Sequence, residues 1–568
     1  MAFTRRESLR LGGGALATLT LPGCGGTHPK LPPTPTTGQL IDVHCHLFNG
    51  TDLPITRFLT RVALKQYEPG RCDLGPMAKF RARDTIENPT LVEVFIKLMI
   101  GLLLGETPTA AKELARIREG TRVTIASDSA RVARQAEAKL TAFLSEPTAG
   151  ITRRQANAED RLRAALRQEV RDAERDLTTE VLDDREVATR LARSKKQYGN
   201  LYRWILLFFR SRQSLAEALV AASKSWGREP LMLVPLMVDY AHWLGETTTC
   251  GSSFPEQVAV FGELSRWSRV PLHGMVAYDP LRAVFWKLGK HSRFPTPEFD
   301  PLDLAETALT KHGFLGLKLY PPMGFRPTGN SRNDADYPAD AVKALHPNEP
   351  LGLELDRAMA RAFDFCLEHD APMIAHARNS NMGGLGYGRR AKPRYWIDVL
   401  RDRPKLRLCL GHQGNFCWRE SAAASDLPAN QSSWEWTIGR YIRENPQSHL
   451  YMDISYLTDV VNSDRDLSYI RDQFTSWINL CDPGTRHILY GTDWIMVDKE
   501  RGYDASGTTV LRFLAQDCKL TADQIDRIMW QNAMRYIGLD SGKTRERLLK
   551  FYGSRRPDWT RIKLPPYP

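Results

Sequence analysis

The chain is predicted to be an α/β protein built as a (β/α)8 TIM barrel with a large helical insertion after the first strand. Three observations predict this. Eight short, strand-like apolar runs recur: Ile41–His46, Leu231–Val238, Leu272–Tyr278, Phe314–Tyr320, Pro372–His376, Leu406–Gly411, His449–Ile454 and His487–Gly491. Most are separated by helix-patterned segments, the alternation that a parallel barrel requires. Polar and titratable residues gather at the C-terminal ends of these runs, the end at which barrel proteins carry functional side chains.

Composition sets the outer bounds. The 568 residues are 42% hydrophobic and 25% charged, a soluble globular balance. That length alone fits two to four domains, yet barrels run to about 250 residues or more as one unit. A net charge of +12 is compatible with anionic substrates, a membrane surface or nucleic acid, and selects none of them. No aromatic-basic interleaving supports single-strand binding, so no nucleic-acid partner is expected.

Along the chain, residues 1–24 come first. Thr4-Arg5-Arg6-Glu7-Ser8-Leu9-Arg10 precedes a short apolar run, Leu11 to Leu21, too short to span a bilayer. The pattern resembles a bacterial twin-arginine export signal, with Ser8 where an aromatic is more usual. Leu21-Pro22-Gly23-Cys24 resembles a lipobox, in which Cys24 would be lipidated and anchor the mature protein to a membrane. The resemblance implies a periplasmic or outer-surface location; the plain alternative is a chance arginine pair. Residues 25–39, with Pro29, Pro32, Pro33 and Pro35, read as an extended tether.

Residues 40–70 begin the barrel, and 71–228 form the helical insertion, with apolar residues at three- and four-residue spacing. Val92–Leu104 is interrupted by Glu93 and Lys97 and reads as a buried helix rather than a membrane span. Residues 229–540 hold the rest of the barrel. There Thr521 and Gln524 are spaced as a capping box before Ile525 and Ile528. Residues 541–568 read as a basic, solvated tail containing Arg555, Arg556, Arg561 and Lys563. The nine cysteines include no CxxC pair, which argues against a zinc ribbon.

The chemistry lies at the strand ends. His44 and His46 close the first run, and strand alternation puts both imidazoles on one face with Val43 and Cys45 on the other. Two such nitrogens can chelate one divalent cation, though HxH alone is a weak signal. His376 ends the fifth run, His412 the sixth and Asp493 the eighth. Packing explains any one of these residues, but not the recurrence at four of eight strand ends.

The ordered set Asp42-Val-His-Cys-His46, Gly316-Leu-Lys-Leu-Tyr-Pro-Pro322, Ile374-Ala-His376, Leu410-Gly-His-Gln-Gly414, Tyr490-Gly-Thr-Asp493 and Asn532-Ala-Met-Arg-Tyr-Ile-Gly538 resembles the amidohydrolase superfamily. It is most similar to the branch of single-metal hydrolases and decarboxylases that includes aminocarboxymuconate semialdehyde decarboxylase. The resemblance implies that His44, His46, His376 and Asp493 bind one metal per chain, zinc or another divalent cation such as manganese. It further implies that Asp493 orients or deprotonates water and that His412 is the acid/base partner. Hydrolysis of an amide, lactone or related bond is the first reading. Non-oxidative decarboxylation of an aromatic or enoic carboxylate at the same site is the second, and a lipid-anchored binding protein without catalysis is the third.

Lys318 should point into the barrel, because Leu317 and Leu319 are apolar and would face the helices. An inward lysine needs a partner, either a substrate carboxylate or Asp453. Some superfamily members carbamylate a fourth-strand lysine to bridge two metals, although the branch resembled here does not. Arg378, two residues after His376, is placed to clamp a substrate carboxylate. A small-molecule substrate carrying a carboxylate is therefore expected, with Tyr320 and Trp494 as candidate pocket walls. His242, His273, His291 and His312 read as packing or surface histidines. Gly538-Leu-Asp-Ser-Gly-Lys-Thr544 has one residue too few between its glycines for a phosphate loop.

A fatty-acid analogue fed to expressing cells should label the wild-type protein and leave Cys24→Ser unlabelled. An unlabelled wild type would remove lipidation from the reading.

Overall fold

The computed structural model describes residues 38–63, 99–101, 103–145, 200–245, 251–289, 297–332, 337, 350–379, 382–384, 386–414, 434–461, 467–500 and 502–567. The export signal, Cys24, most of the tether, His291 and much of the insertion lie outside them.

All eight predicted strands form, and all of their pairings are parallel. They are β1 (Gly38–Cys45), β2 (Arg228–Pro235), β3 (Met275–Ala277), β4 (Gly316–Leu319), β5 (Met373–His376), β6 (Leu408–Gly411), β7 (Leu450–Asp453) and β8 (Ile488–Leu489). Regular pairing gives a two-stranded sheet, β1-β2, and a six-stranded sheet running from β3 to β8 in sequence order. The two seams between them carry isolated backbone bonds instead of a continuous ladder. At one seam His273 N donates to Leu233 O and Met237 N to Met275 O. At the other Val43 N donates to Tyr490 O and Asp493 N to His44 O. The architecture is that of an α/β (β/α)8 barrel.

The two-residue period of the strands sorts their side chains cleanly. Leu317, Leu319, Met373, Ala375, Leu408, Leu410, Leu450, Met452 and Ile488 join the large cluster packed against the helices. Their alternates Ile374, Cys409, Tyr451 and Leu489 join a second, smaller cluster. Gly316 is required where β4 meets the residue before β5, because a Cβ there would lie 1.8 Å from the carbonyl oxygen of Pro372.

In the insertion the described helices are α1 (Ala110–Arg118), α2 (Ile125–Ser145), α3 (Asn200–Leu207) and α4 (Arg212–Ser225). Between strands follow α5 (Phe254–Trp267), α6 (Pro280–Leu288), α7 (Pro301–Lys311), α8 (Leu351–Glu368), α9 (Pro393–Asp402), α10 (Trp434–Glu444) and α11 (Leu467–Cys481). Their starts are chemically marked. Ser253 and Glu256 make a capping box on α5, while Asp279 and Asp300 cap α6 and α7 ahead of proline. No described helix is long and apolar enough to cross a membrane. The described cysteines Cys45, Cys366, Cys409, Cys481 and Cys518 are buried and unpaired.

After β8 come α12 (Ser506–Arg512) and α13 (Ala522–Asp526), which starts at the expected Thr521–Gln524 capping box. Next are α14 (Asn532–Ile537) and α15 (Lys543–Tyr552). The basic residues of the tail, Arg555, Arg556, Arg561 and Lys563, are exposed as expected, but its apolar residues are not. Tyr536, Ile537, Leu548, Tyr552 and Trp559 belong to the smaller cluster with Ile374, Cys409 and Tyr451. The Tyr536 hydroxyl donates to Met373 O, at the N-terminal end of β5. Through Leu548, Tyr552 and Trp559 the apolar side of the tail is thus part of the core at the end of the strands opposite His376. Sequence reading weighed its arginines and lysines, but it is the interleaved aromatic and aliphatic residues that decide its placement.

His273 ties this end together, with Nδ1 at 2.7 Å from Gly313 O and Nε2 at 2.7 Å from the Tyr552 hydroxyl. Burial pushes its imidazole down to about 4. The folded value lies below the unfolded one, so the unfolded chain binds this proton more tightly. The stabilising contribution is complete above about pH 6.5 and is lost as the pH falls towards 4, an effect on the order of 3 kcal/mol. Thermal melts of wild type and His273→Gln between pH 7 and 4 should show a lower melting temperature for the variant at neutral pH but a shallower decline on acidification. Equal slopes would remove His273 from the acid sensitivity.

Candidate metal centre

β1 delivers the first two donors, but not by simple alternation. Its register against β2 shifts between Asp42 and Cys45. Val43 packs in the smaller cluster with Ile374 and Leu489, and Cys45 packs in the larger one. The expected sharing of one face by Val43 and Cys45 therefore fails, because a bulge resets which side each residue takes. His44 and His46 nevertheless converge. Two glycines leave room for His44: a Cβ on Gly411 would lie 3.0 Å from its ring, and one on Gly491 2.6 Å from its Cβ.

Both imidazoles are held through Nδ1. His44 Nδ1 lies 2.9 Å from Asp453 Oδ2 and 3.1 Å from Ser455 Oγ. His46 Nδ1 lies 3.0 Å from Leu236 O. Each Nε2 is thereby turned towards Asp493 Oδ1, at 3.7 Å from His44 and 3.1 Å from His46. The ligand atoms of His44, His46 and Asp493 lie within 4.8 Å of one another, and all three side chains are buried. His44 Nε2 has no hydrogen-bond partner among the described residues. A buried, pre-oriented nitrogen without a partner beside a carboxylate fits a divalent cation, with Asp453 and Leu236 O as the outer groups that fix the rings.

Asp493 is held by the seam itself. Asp42 Oδ1 accepts from the backbone of His44 and Thr492, each at 3.1 Å, and its Oδ2 accepts from Thr492 Oγ1 at 2.6 Å. This clamp locks the end of β1 to the segment after β8. Burial pushes Asp493 upward, but the His46 hydrogen bond and the nearby histidines outweigh it and hold the carboxyl at about 2. It is an anion at neutral pH.

His376 and His412 border the triad. His412 Nε2 lies 3.1 Å from His376 Nδ1, and Ser455 Oγ lies 2.9 Å from His412 Nδ1. His376, expected as a fourth ligand, stands outside the 4.8 Å triad and meets it through His412. Burial pushes His412 down to about 3, with His44 adding to the effect and Asp493 opposing it. Burial, His412 and Lys318 drive His376 well below its ordinary value. Both rings are neutral at neutral pH. Tyr320 stacks on His376 at 4.3 Å, and Tyr240 meets Tyr320 edge-on at 5.0 Å.

Lys318 is buried, and burial lowers its amine to about 8 against the pull of Asp453 and Asp493. The alternative pairing with Asp453 is not made: Lys318 Nζ has no hydrogen-bond partner among the described residues. Arg378 is buried with its guanidinium 5.4 Å from the Tyr456 ring. Trp494 stacks on Tyr503 at 6.0 Å.

Sequence reading missed Ser455, which bridges two site histidines, and treated Asp453 only as a partner for lysine. The Asp-x-Ser spacing at the end of β7 was the available signal. Reading His242 without neighbours also missed its surroundings, since its ring lies beside the carboxylates of Asp239 and Asp279. Those carboxylates are committed, Asp239 to Arg282 at 2.6 and 3.1 Å and Asp279 to the α6 cap and Trp243. Asp279 thus caps α6, and Asp239 holds Arg282 of the same helix.

Residues 294–539 match the amidohydrolase family model. The matched span holds β4 to β8, with Lys318, His376, His412 and Asp493, but not β1 with its two histidines. Among solved structures, an amidohydrolase from Burkholderia multivorans with bound zinc is similar at 16% identity and a TM-score of 0.35, covering 60% of this chain and 94% of its own. An uncharacterised TIM-barrel protein from Bordetella bronchiseptica is similar at 15% identity and a TM-score of 0.33, over 60% of this chain and 84% of its own. Amidohydrolase 2 from Bifidobacterium longum subsp. infantis is similar at 14% identity and a TM-score of 0.30, over 58% and 88%. No curated protein matches the chain.

Replacing Asp453 with Asn should loosen the His44 ring and weaken binding of a divalent cation about 10- to 100-fold. Competition with a chromogenic chelator measures this, and circular dichroism checks that the fold is kept. Unchanged affinity would show that the Asp453 contact does not orient a ligand.

Proposed function

We propose that the chain is a metal-dependent hydrolase of the amidohydrolase type, acting with activated water on an amide, lactone or related bond. The observation that carries this reading is the buried convergence of His44, His46 and Asp493, with each imidazole turned through Nδ1 to present Nε2. His44, His46 and Asp493, with His376 beside them, would hold one cation per chain. Imidazole and carboxylate donors suit zinc first and manganese second. A divalent cation in such a site supplies Lewis acidity, polarising a carbonyl and lowering the pKa of water towards about 7.

The side chains then divide the work. Asp493 is ionised and turned towards the two Nε2 atoms, so it is the group that accepts a proton from water. His412 is neutral, with Nδ1 fixed beside Ser455 and Nε2 beside His376 Nδ1. An oxygen that gains charge would have to replace His376 as the partner of Nε2 to receive its N–H. Tyr320 and His376 form a stacked wall that limits how a planar substrate enters. We further propose membership of the single-metal branch and export through the Arg5-Arg6 signal, with Cys24 as a lipid anchor. An exported enzyme meets esters and amides more readily than intracellular intermediates, which supports hydrolysis over decarboxylation.

Elemental analysis of purified protein should find about one zinc or manganese per chain. Asp493→Asn should hold the metal less tightly and lower kcat/KM on a responsive lactone or amide by about a thousandfold. A reconstituted wild type that takes up no metal would overturn the reading. Release of CO2 without hydrolysis would transfer the same residues to decarboxylation.

A further inference from the structure

The end of the barrel opposite the metal centre carries the most exposed large apolar side chain among the described residues. Trp267, the last residue of α5, is 66% exposed. Its indole nitrogen lies 3.2 Å from Glu263 Oε2, one turn back in the same helix. The rest of the ring is left to water, although an aromatic of this size gains more from burial than most side chains.

Cations surround it, and hydrogen bonds fix them there. Arg266 donates to Phe551 O and to Lys311 O, each at 3.3 Å, which sets the ends of α7 and α15 beside the end of α5. Arg555 donates to Arg266 O and Ser268 O, the carbonyls on either side of Trp267. Arg556 donates to Gly553 O and Arg555 O. Arg266, Arg269, Lys311, Arg555 and Arg556 are all exposed. None of them pairs with a carboxylate among the described residues, and Glu263 is the acid in their midst. The helix dipole accounts for Arg266 and Lys311, which lie in the last turns of α5 and α7. It does not account for Arg555 and Arg556, which the tail brings in, or for the bare indole beside them.

This is also the end at which the chain enters the barrel. All strand pairings are parallel, and Gly38 opens β1 opposite Arg228 at the opening of β2. Trp267 leads towards β3 through Leu272, which pairs with Leu233 of β2. Gly38 and Trp267 therefore lie at the same end of the strands. The 13 residues from Gly25 to Thr37, which join Cys24 to Gly38, reach about 45 Å at full extension.

We propose that this face is a membrane-binding surface: Trp267 enters the headgroup layer, and the five cations meet anionic lipid. Tryptophan favours that boundary because its ring is apolar and its N–H is polar. Clustered arginine and lysine are drawn to anionic headgroups, and a single lipid chain needs a second signal of this kind to anchor stably. The proposal takes the membrane from the export-and-anchor reading and adds the face that meets it. The metal centre, at the other end of the strands, then opens away from the lipid.

The test uses the full chain carrying Cys24→Ser, so that no attached lipid contributes. Vesicles of phosphatidylglycerol with phosphatidylcholine should sediment it about tenfold more strongly than phosphatidylcholine alone. Trp267→Ser, and separately Arg269→Gln with Arg556→Gln, should lower that partitioning about fivefold or more. Melting temperatures identify a variant that fails to fold, and the other then decides. Residues 1–37 contain no tryptophan, so quenching of protein fluorescence by brominated lipid reports on the barrel and not on the export signal. Trp267→Phe should remove that quenching. Vesicle binding that neither variant lowers, or quenching that survives Trp267→Phe, would refute the surface. Binding to a DNA duplex that the same variants lose, without lipid quenching, would refute it too and give the patch to nucleic acid. A wild type without the fatty-acid label would count against the Cys24 anchor and leave the vesicle results standing.

Discussion

Asp453 has no solvent contact, yet it accepts hydrogen bonds that reach three strands: the His44 ring at the end of β1, the His412 backbone after β6, and Ser455 beyond its own β7. Burial alone would push such a carboxyl upward, but the neighbouring histidines and the Ser455 hydroxyl overcome this and hold it far below the ordinary carboxylate range. Removing one partner of a buried, satisfied anion costs far more than the bond is worth in water. The mouth of the barrel is therefore tied together by this ion. It fixes which nitrogen His44 presents, where the His412 backbone turns, and how Ser455 reaches the second ring. The Asp42 clamp does the same work across the β1–β8 seam, where only isolated backbone bonds join the strands.

That dependence explains the backbone at the strand ends. His412, Gln413, Tyr456 and Asp493 all take positive φ, at 62°, 51°, 54° and 58°. Non-glycine residues avoid this region, and each instance costs of order 1–3 kcal/mol when the surroundings do not enforce it. Here the surroundings do enforce it. The His412 amide is held by Asp453, and the Asp493 amide by His44 O. Four such residues at one end of the barrel, all beside the candidate metal centre, are what a site built for geometry rather than for stability should show.

The parts legible in the sequence were those set by local pattern. Eight apolar runs announced the barrel, and strand periodicity, which acts over a few residues, announced that His44 and His46 would project together. Their joining with His376 and Asp493 was what the resemblance implied, and of these the structure brings Asp493 beside the pair. What stayed hidden depends on contacts made far along the chain. The register shift at Asp42–Cys45 arises from how β1 meets β2, so no alternation rule shows that Val43 and Cys45 part company. The 43-residue separation of His412 and Ser455 hides their contact. Charge counting in the tail overlooked Trp559 and Tyr552, which belong to the barrel's smaller cluster.

The insertion raises the last point. Its described helices do not stand apart from the mouth. Arg212, at the start of α4 and fully buried, is paired with Asp52 in the loop after His46 and with Glu113 of α1. Gly50 N donates to Phe208 O, and Trp204 Nε1 donates to Ile495 O, two residues beyond Asp493. Both segments that carry triad residues are thus fastened to helices encoded far from them. A buried pair of this kind adds little net stability over an apolar substitute, but it tolerates no loss of a single partner. The insertion therefore acts on the metal centre through the two loops that must hold His46 and Asp493 in register.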